Sequence, residues 1–292
     1  MKDEQPPEGM MTSPLPSRGM ELVEPLRDLA AWTARFQHAP IPVLRDTADS
    51  LEAFRANEDN TDANSIGEMI SGDPLMTLKV LAYESGHRGR RVVTSAETVT
   101  SALVMMGISP FFRAFGPQPI VEDWLAHRPE ALAGLQGVLQ RAHRGADFAL
   151  AFAIHRVDPD AAVIHAATLL HEFAELLLWC HAPALALRIQ RAQAADPELR
   201  SNVAQREVLH IELADLQRSL TSAWRLPALI ADVAAEAQPA GHTSARIVSL
   251  GARLARHATH GWDNPAIPDD VAEIAALLNL SPAAALALVS GI

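Results

Sequence analysis

Three polar side chains inside one short apolar stretch are the residues of this sequence best placed to do chemistry. His171, Glu172 and Glu175 stand between Leu169-Leu170 and Leu176-Leu177-Leu178. A stretch apolar on nearly every side is predicted to be a buried helix, and buried polar groups require hydrogen-bond or ionic partners. His171 and Glu175 are four residues apart and share a helix face, so the two can pair with each other. The residue types admit three uses: a structural polar cluster, a vestigial ligand pocket, or a metal site in which imidazole and carboxylates hold a divalent ion.

The remaining candidates point to less. His257 and His260 are three apart near a predicted helix C-terminus, where a positive imidazole favours the helix dipole. His165 and His171 are six apart and do not make the i, i+4 pair of a zincin. His155 and His181 lie close to predicted helix ends and suggest nothing specific. The single cysteine, Cys180, excludes an internal disulfide and every multi-cysteine metal motif. In its apolar setting it reads as a small buried hydrophobe. GxGxxG, GxxxxGK[ST] and GxSxG are all missing, so no Rossmann-type site, phosphate loop or serine nucleophile is expected.

The elements that must position these residues are helices. Hydrophobic residues make up 49% of the chain but aromatics only 5%, and the apolar load falls on Ala, Leu, Val and Ile. That mixture suits packed helices better than a sheet. Asp73-Pro74 pairs a polar cap with proline at the first helical position and opens a helix ending near Gly86. Ser109-Pro110, Asp158-Pro159, Asp196-Pro197 and Ser281-Pro282 repeat the device. Thr94 with Glu97 forms a capping box for a helix that stops at Gly107, and Gly261 closes one containing Arg246 to His260. Alternating polar and apolar residues are not found, so an all-α, multi-helical bundle of roughly a dozen helices with essentially no sheet is predicted. Gly116-Pro117-Gln118-Pro119 is the strongest interior break. It divides the chain into a flexible tail (1–21), an N-terminal helical subdomain (22–118) and a C-terminal helical subdomain (119–292).

With 35 acidic against 24 basic residues, the net charge is −11, which repels phosphate backbones and argues against general nucleic-acid binding. The strongest basic run, Arg88, Arg90 and Arg91, reads as a solvated loop. The N-terminus has no apolar core of a signal peptide, and no uninterrupted apolar run approaches the ~20 residues of a membrane span. A cytoplasmic protein without a membrane partner is expected.

Several segments together resemble the HDOD family, a non-catalytic relative of the HD phosphohydrolases found in bacterial signalling proteins. They are Ala39-Pro40-Ile41-Pro42, Ile70-Ser71-Gly72-Asp73-Pro74-Leu75, Leu78-Lys79-Val80-Leu81 and the helix ending at Gly107. In the second half, Leu169-Leu170-His171-Glu172-Phe173-Ala174-Glu175-Leu176 stands where the family carries "LLHDIG-x-L", and Trp224-Arg225-Leu226-Pro227 matches "W-x-LP". The resemblance covers about residues 38 to 275. The family's Asn-Ser-Ala after the first of these helices is Glu84-Ser85-Gly86 here, a partial match.

The related hydrolases build a metal site from a lone His, a His-Asp pair and a further Asp. By resemblance His143 matches the lone His and His171 the His of the pair. Its Asp is replaced by Glu172, one methylene longer, and Ala174 stands in place of a glycine. Leu213, eleven residues before Trp224, occupies a position that usually holds a second histidine. No residue matches the final Asp. The resemblance therefore implies a non-enzymatic signal-transduction module with vestigial positions His143, His171 and Glu172, no metal and no cofactor. Such a module acts by binding a protein partner or a small signal, with Trp124, Trp224 and Trp262 the large aromatics to watch at its grooves. Two alternatives stay open. One is a metal-dependent phosphohydrolase using His143, His171 and Glu172, which requires those groups to converge around an open cavity. The other is a nucleotide sensor using the same pocket, with His143 or Arg144 facing it.

Overall fold

The computed structural model describes residues 21–87, 96–235 and 243–292. The expected tail, the Arg88–Arg91 run and Thr94 lie outside the described residues, apart from the tail's last residue, Glu21. The helices before the Gly116–Pro119 break are α1 (Leu29–Gln37), α2 (Arg45–Ala56), α3 (Ala63–Ser71), α4 (Pro74–His87), α5 (Val99–Met106) and α6 (Ile108–Ala114). After it come α7 (Val121–Leu125), α8 (Pro129–His155), α9 (Ala161–Leu169), α10 (Phe173–His181), α11 (Pro183–Ala195) and α12 (Ser201–Leu209). The chain ends with α13 (Leu213–Trp224), α14 (Ala228–Ala234), α15 (Thr243–His257), α16 (Ile267–Leu278) and α17 (Pro282–Ser290). The all-α expectation holds: among the described residues there is no strand, only one parallel bridge between Val43 and Ile120.

Side-chain caps open several of the helices. Asp73 Oδ1 accepts the backbone N–H groups of Leu75 (2.8 Å) and Met76 (3.1 Å), satisfying donors that the first turn of α4 leaves open. Ser281 caps α17 in the same way, through the N–H of Ala284. Three expected starts are displaced. Asp158 and Asp196 use their carboxylates on the N–H groups of Asp160 and Glu198, making Asx turns, so α9 and α12 begin at Ala161 and Ser201. α6 begins at Ile108, ahead of Ser109-Pro110, directly after Gly107. The capping box of α5 is formed by Thr98 and Ser101, each side chain accepting the other's backbone N–H, and does not involve Glu97.

Two apolar cores result. The smaller gathers α2, α3, α5, α6 and one face of α4, around Leu51, Ile66, Ile70, Met76, Val80, Leu103 and Phe111. The larger is built from α7 to α17 with Leu75, Leu78 and Leu81 from the opposite face of α4. α4 is thus a wedge buried on two sides. Although first in sequence, α1 packs in the larger core against α13, where Thr33 Oγ1 donates to Ser219 (2.8 Å), and reaches the end of α12, where Trp32 Nε1 donates to Leu209 O (3.0 Å).

The joint between the cores is polar and buried. Leu44 N donates to Asp73 Oδ2 at 2.8 Å, tying α2 to α4. Lys79 donates to Ile41 O at 2.8 Å and to Gln118 Oε1, tying both chain crossings to α4. Val43 and Val121 complete the joint through backbone bonds of 2.9 Å. In the larger core α8 and α15 cross closely at Gly145 and Gly251, where a Cβ on Gly251 would come within 2.7 Å of Gly145 O. That approach brings one arginine-bearing face of each helix to the rim of the same cavity.

Candidate functional site

The stretch around His171 is not one continuous helix. α9 ends at Leu169 and α10 begins at Phe173, so His171 and Glu172 sit in the turn between them. Gln217 of α13 holds this break open. Its amide donates to Leu170 O (3.1 Å) and His171 O (2.5 Å), and its oxygen accepts the N–H of Ala174 at 3.0 Å. Backbone groups freed by the break thereby keep partners, as burial demands. The 161–181 stretch is apolar and long enough to cross a membrane by composition, but it is interrupted at this turn and mostly packed inside the protein.

The break turns His171 and Glu172 toward a cavity of about 1060 Å³ bounded by α8, α10, α13 and α15. Glu172 is clamped by two guanidiniums. Arg141 Nε donates to its Oε2 at 2.8 Å and Arg256 Nη2 to its Oε1 at 2.7 Å. Arg141 reaches Glu175 as well, Nη2 to Oε2 at 2.8 Å. Glu175 therefore pairs with Arg141 across the helices, which corrects the expected His171–Glu175 pair. With the helix broken between them, the i, i+4 geometry is lost.

Charge follows this geometry. Burial disfavours the Glu172 carboxylate, yet Arg141 and Arg256 overcome that and hold its pKa near about 2. Burial raises the pKa of Glu175, with Arg141 opposing and Glu172 adding to the rise. Burial lowers the pKa of His171, so its imidazole is neutral near pH 7. Its Nδ1 is buried and has no hydrogen-bond partner among the described residues.

The three vestigial positions do not converge. His143 Nε2 lies 2.8 Å from Gly72 O, against the start of α4 and away from the cavity. Arg144 also turns aside: it donates to Ala258 O (2.9 Å) and lies over the rings of Phe148 and Trp262. Leu213 is part of the cavity wall, but what fills the space between the acidic groups is the Arg141 guanidinium. Among the described residues no three His, Cys, Asp or Glu side chains are disposed to hold a metal ion. A divalent ion does not fit the groups present, because both carboxylates are already neutralised and the lone His is committed elsewhere.

Other readings are corrected too. His257 does more than face a helix dipole: its Nδ1 lies 2.5 Å from the buried carboxylate of Asp270, which also accepts from Arg253 at 2.7 Å. Trp224 and Trp262 pack against the larger core and Trp124 is buried beside His181, in keeping with core roles, and the tryptophan on the cavity wall is Trp179. Sequence reasoning missed Arg141 and Gln217. Arg141 had a signal, since it stands three residues after Val138 and four before Gly145, both buried, and so on the apolar stripe of α8.

The HDOD domain family model matches residues 41–239. This chain belongs to the HDOD family. The match falls within the 38 to 275 expected from the sequence and takes in the smaller core, the α7 to α14 part of the larger one and the α9–α10 turn. No curated protein matches the chain. Among solved structures it is similar to the MmoQ response regulator of Methylococcus capsulatus, at 15% identity and a TM-score of 0.62, covering 87% of this chain and 99% of that one. It is similar also to a virulence factor of Campylobacter jejuni, at 17% identity and a TM-score of 0.63, covering 87% and 90%. At these identities the likeness speaks to the fold, which this chain shares with the two solved chains over nearly their full lengths.

Proposed function

We propose that this HDOD protein is a non-enzymatic signal-transduction module that acts by binding a protein partner or a small signal. The observation that carries the reading is the fate of the vestigial site. Metal-dependent phosphoester hydrolysis needs an ion with an open coordination position and a water on it. Here the carboxylates that would hold the ion are consumed by Arg141 and Arg256, and His143 faces α4. The cavity of about 1060 Å³, lined by charged groups at the α9–α10 turn and by a mixture of polar and apolar side chains elsewhere, is of a size to admit a small polar signal. The name of MmoQ, a response regulator, supports the same direction. The protein performs this role in solution, with the apolar stretch from Ala161 to His181 serving as core.

The test is elemental analysis of the purified protein together with hydrolysis of bis(p-nitrophenyl) phosphate in Mn²⁺, on wild type and His171→Ala. The expected result is no stoichiometric metal and no turnover above buffer in either protein. Near-stoichiometric metal with turnover, both lost in His171→Ala, would overturn the proposal in favour of a hydrolase.

A further inference from the structure

We propose that the Arg141 guanidinium occupies a divalent-cation position between Glu172 and Glu175, and that this built-in cation closes the cavity to metal. Nε and Nη2 of one guanidinium each reach an oxygen of a different carboxylate at 2.8 Å. One cation is thereby shared by two acidic groups at the start of α10, Glu172 just before it and Glu175 in its first turn, as a bridging ion would be. The carboxylates are hard oxygen ligands of the kind that hold Mn²⁺ or Mg²⁺. His171, on the same cavity wall, presents a buried nitrogen without a hydrogen-bond partner among the described residues.

Arg141 is only 19% exposed at its side chain, so the guanidinium is a fixed part of the wall. Arg256 is the outer member, 53% exposed and paired with Glu172 at 2.7 Å. Removing Arg141 leaves two carboxylates facing each other with a single exposed cation nearby. Each is then without its main partner, a costly state for buried charge. A divalent ion from solution relieves it.

The assignment rests on the non-enzymatic reading only in taking the unaltered chain to be metal-free. It is tested on the full chain by titrating Mn²⁺ into wild type, Arg141→Ala and Arg141→Ala/Glu175→Gln, followed by calorimetry and thermal unfolding. Wild type is expected to show no saturable binding. Arg141→Ala is expected to bind one Mn²⁺ and to gain about 4 °C in Tm at about 1 mM, with at least a tenfold loss of affinity in the double variant. An Arg141→Ala protein that folds and takes up no Mn²⁺ overturns the assignment, as does a double variant that binds as tightly as the single. If Arg141→Ala does not fold alone, it is refolded with and without Mn²⁺. Recovery only with the ion supports the assignment, and failure in both overturns it. Either failure leaves the proposed function standing, whereas metal and turnover in wild type defeat that function directly.

Discussion

Two of the buried polar clusters among the described residues satisfy a carboxylate in opposite ways. At the joint between the cores, Asp73 is fully buried and accepts three backbone N–H groups, from Leu44, Leu75 and Met76. At the α9–α10 turn, Glu172 accepts from two guanidiniums. Burial pushes the Asp73 carboxyl above the usual range against the pull of its neutral donors, whereas the arginines draw Glu172 below it. Neutral dipoles hold a carboxylate in place but leave its desolvation partly unmatched, and full charges more than match it. The first arrangement fixes backbone, and so builds the fold. The second fixes side chains around a cavity.

The largest break in this comparison comes from Asp73→Ala. It removes the cap of α4 and strands the N–H of Leu44, for an expected loss of about 3 kcal/mol in chemical denaturation, against about 1 kcal/mol for Asp73→Asn. A loss below about 1 kcal/mol for the alanine variant would show that the joint is not held there. Lys79 sharpens the same region. One of only two lysines in the chain, it is held near pKa about 8 because burial disfavours its ammonium and Asp73 only partly offsets that. A lysine lowered in the folded state binds fewer protons there than when unfolded, so its contribution to stability rises with pH between about 8 and 10.4. Wild type should therefore gain on the order of 2 kcal/mol over Lys79→Met across that interval. Equal slopes for the two proteins would overturn the depressed ammonium.

The helix cap at the joint was legible in the sequence, while the joint's long-range bonds and the cavity were not, for a physical reason. Asp73-Pro74 and Ser281-Pro282 act within one helical turn, so a short window contains both the cap and what it caps. Asp158-Pro159 and Asp196-Pro197 look alike in that window, yet their carboxylates close Asx turns and delay the helix. The break at His171 depends on Gln217, more than 40 residues away, which no local pattern reveals. Glu172 and Glu175 were picked out as polar groups needing partners, but their cation comes from α8. The family resemblance placed His143 beside them by analogy with a metal site. That placement fails because the ion that would draw His143 inward is replaced by an arginine two residues before it, facing another way.

The smallest effect is the most discriminating between the two clusters. Glu172→Gln keeps the shape of the turn and removes one charge, while Arg141 retains Glu175 and the largely exposed Arg256 is screened by water. The expected cost at pH 7 is therefore only about 1 kcal/mol. Its pH dependence follows from the lowered pKa. Glu172 contributes stability above its unfolded pKa near 4.5, and that contribution is lost as pH falls through about 2. The wild type and Glu172→Gln denaturation curves should thus converge between those values. Added salt should narrow the gap at pH 7 by weakening the exposed Arg256 arm. Asp73→Asn, whose neighbouring cation is the buried Lys79, should show little response to salt, because buried charges are screened far less than exposed ones. If instead Glu172→Gln is indifferent to both acid and salt, the guanidiniums are not what hold Glu172, and the contrast between backbone-held and charge-held carboxylates collapses.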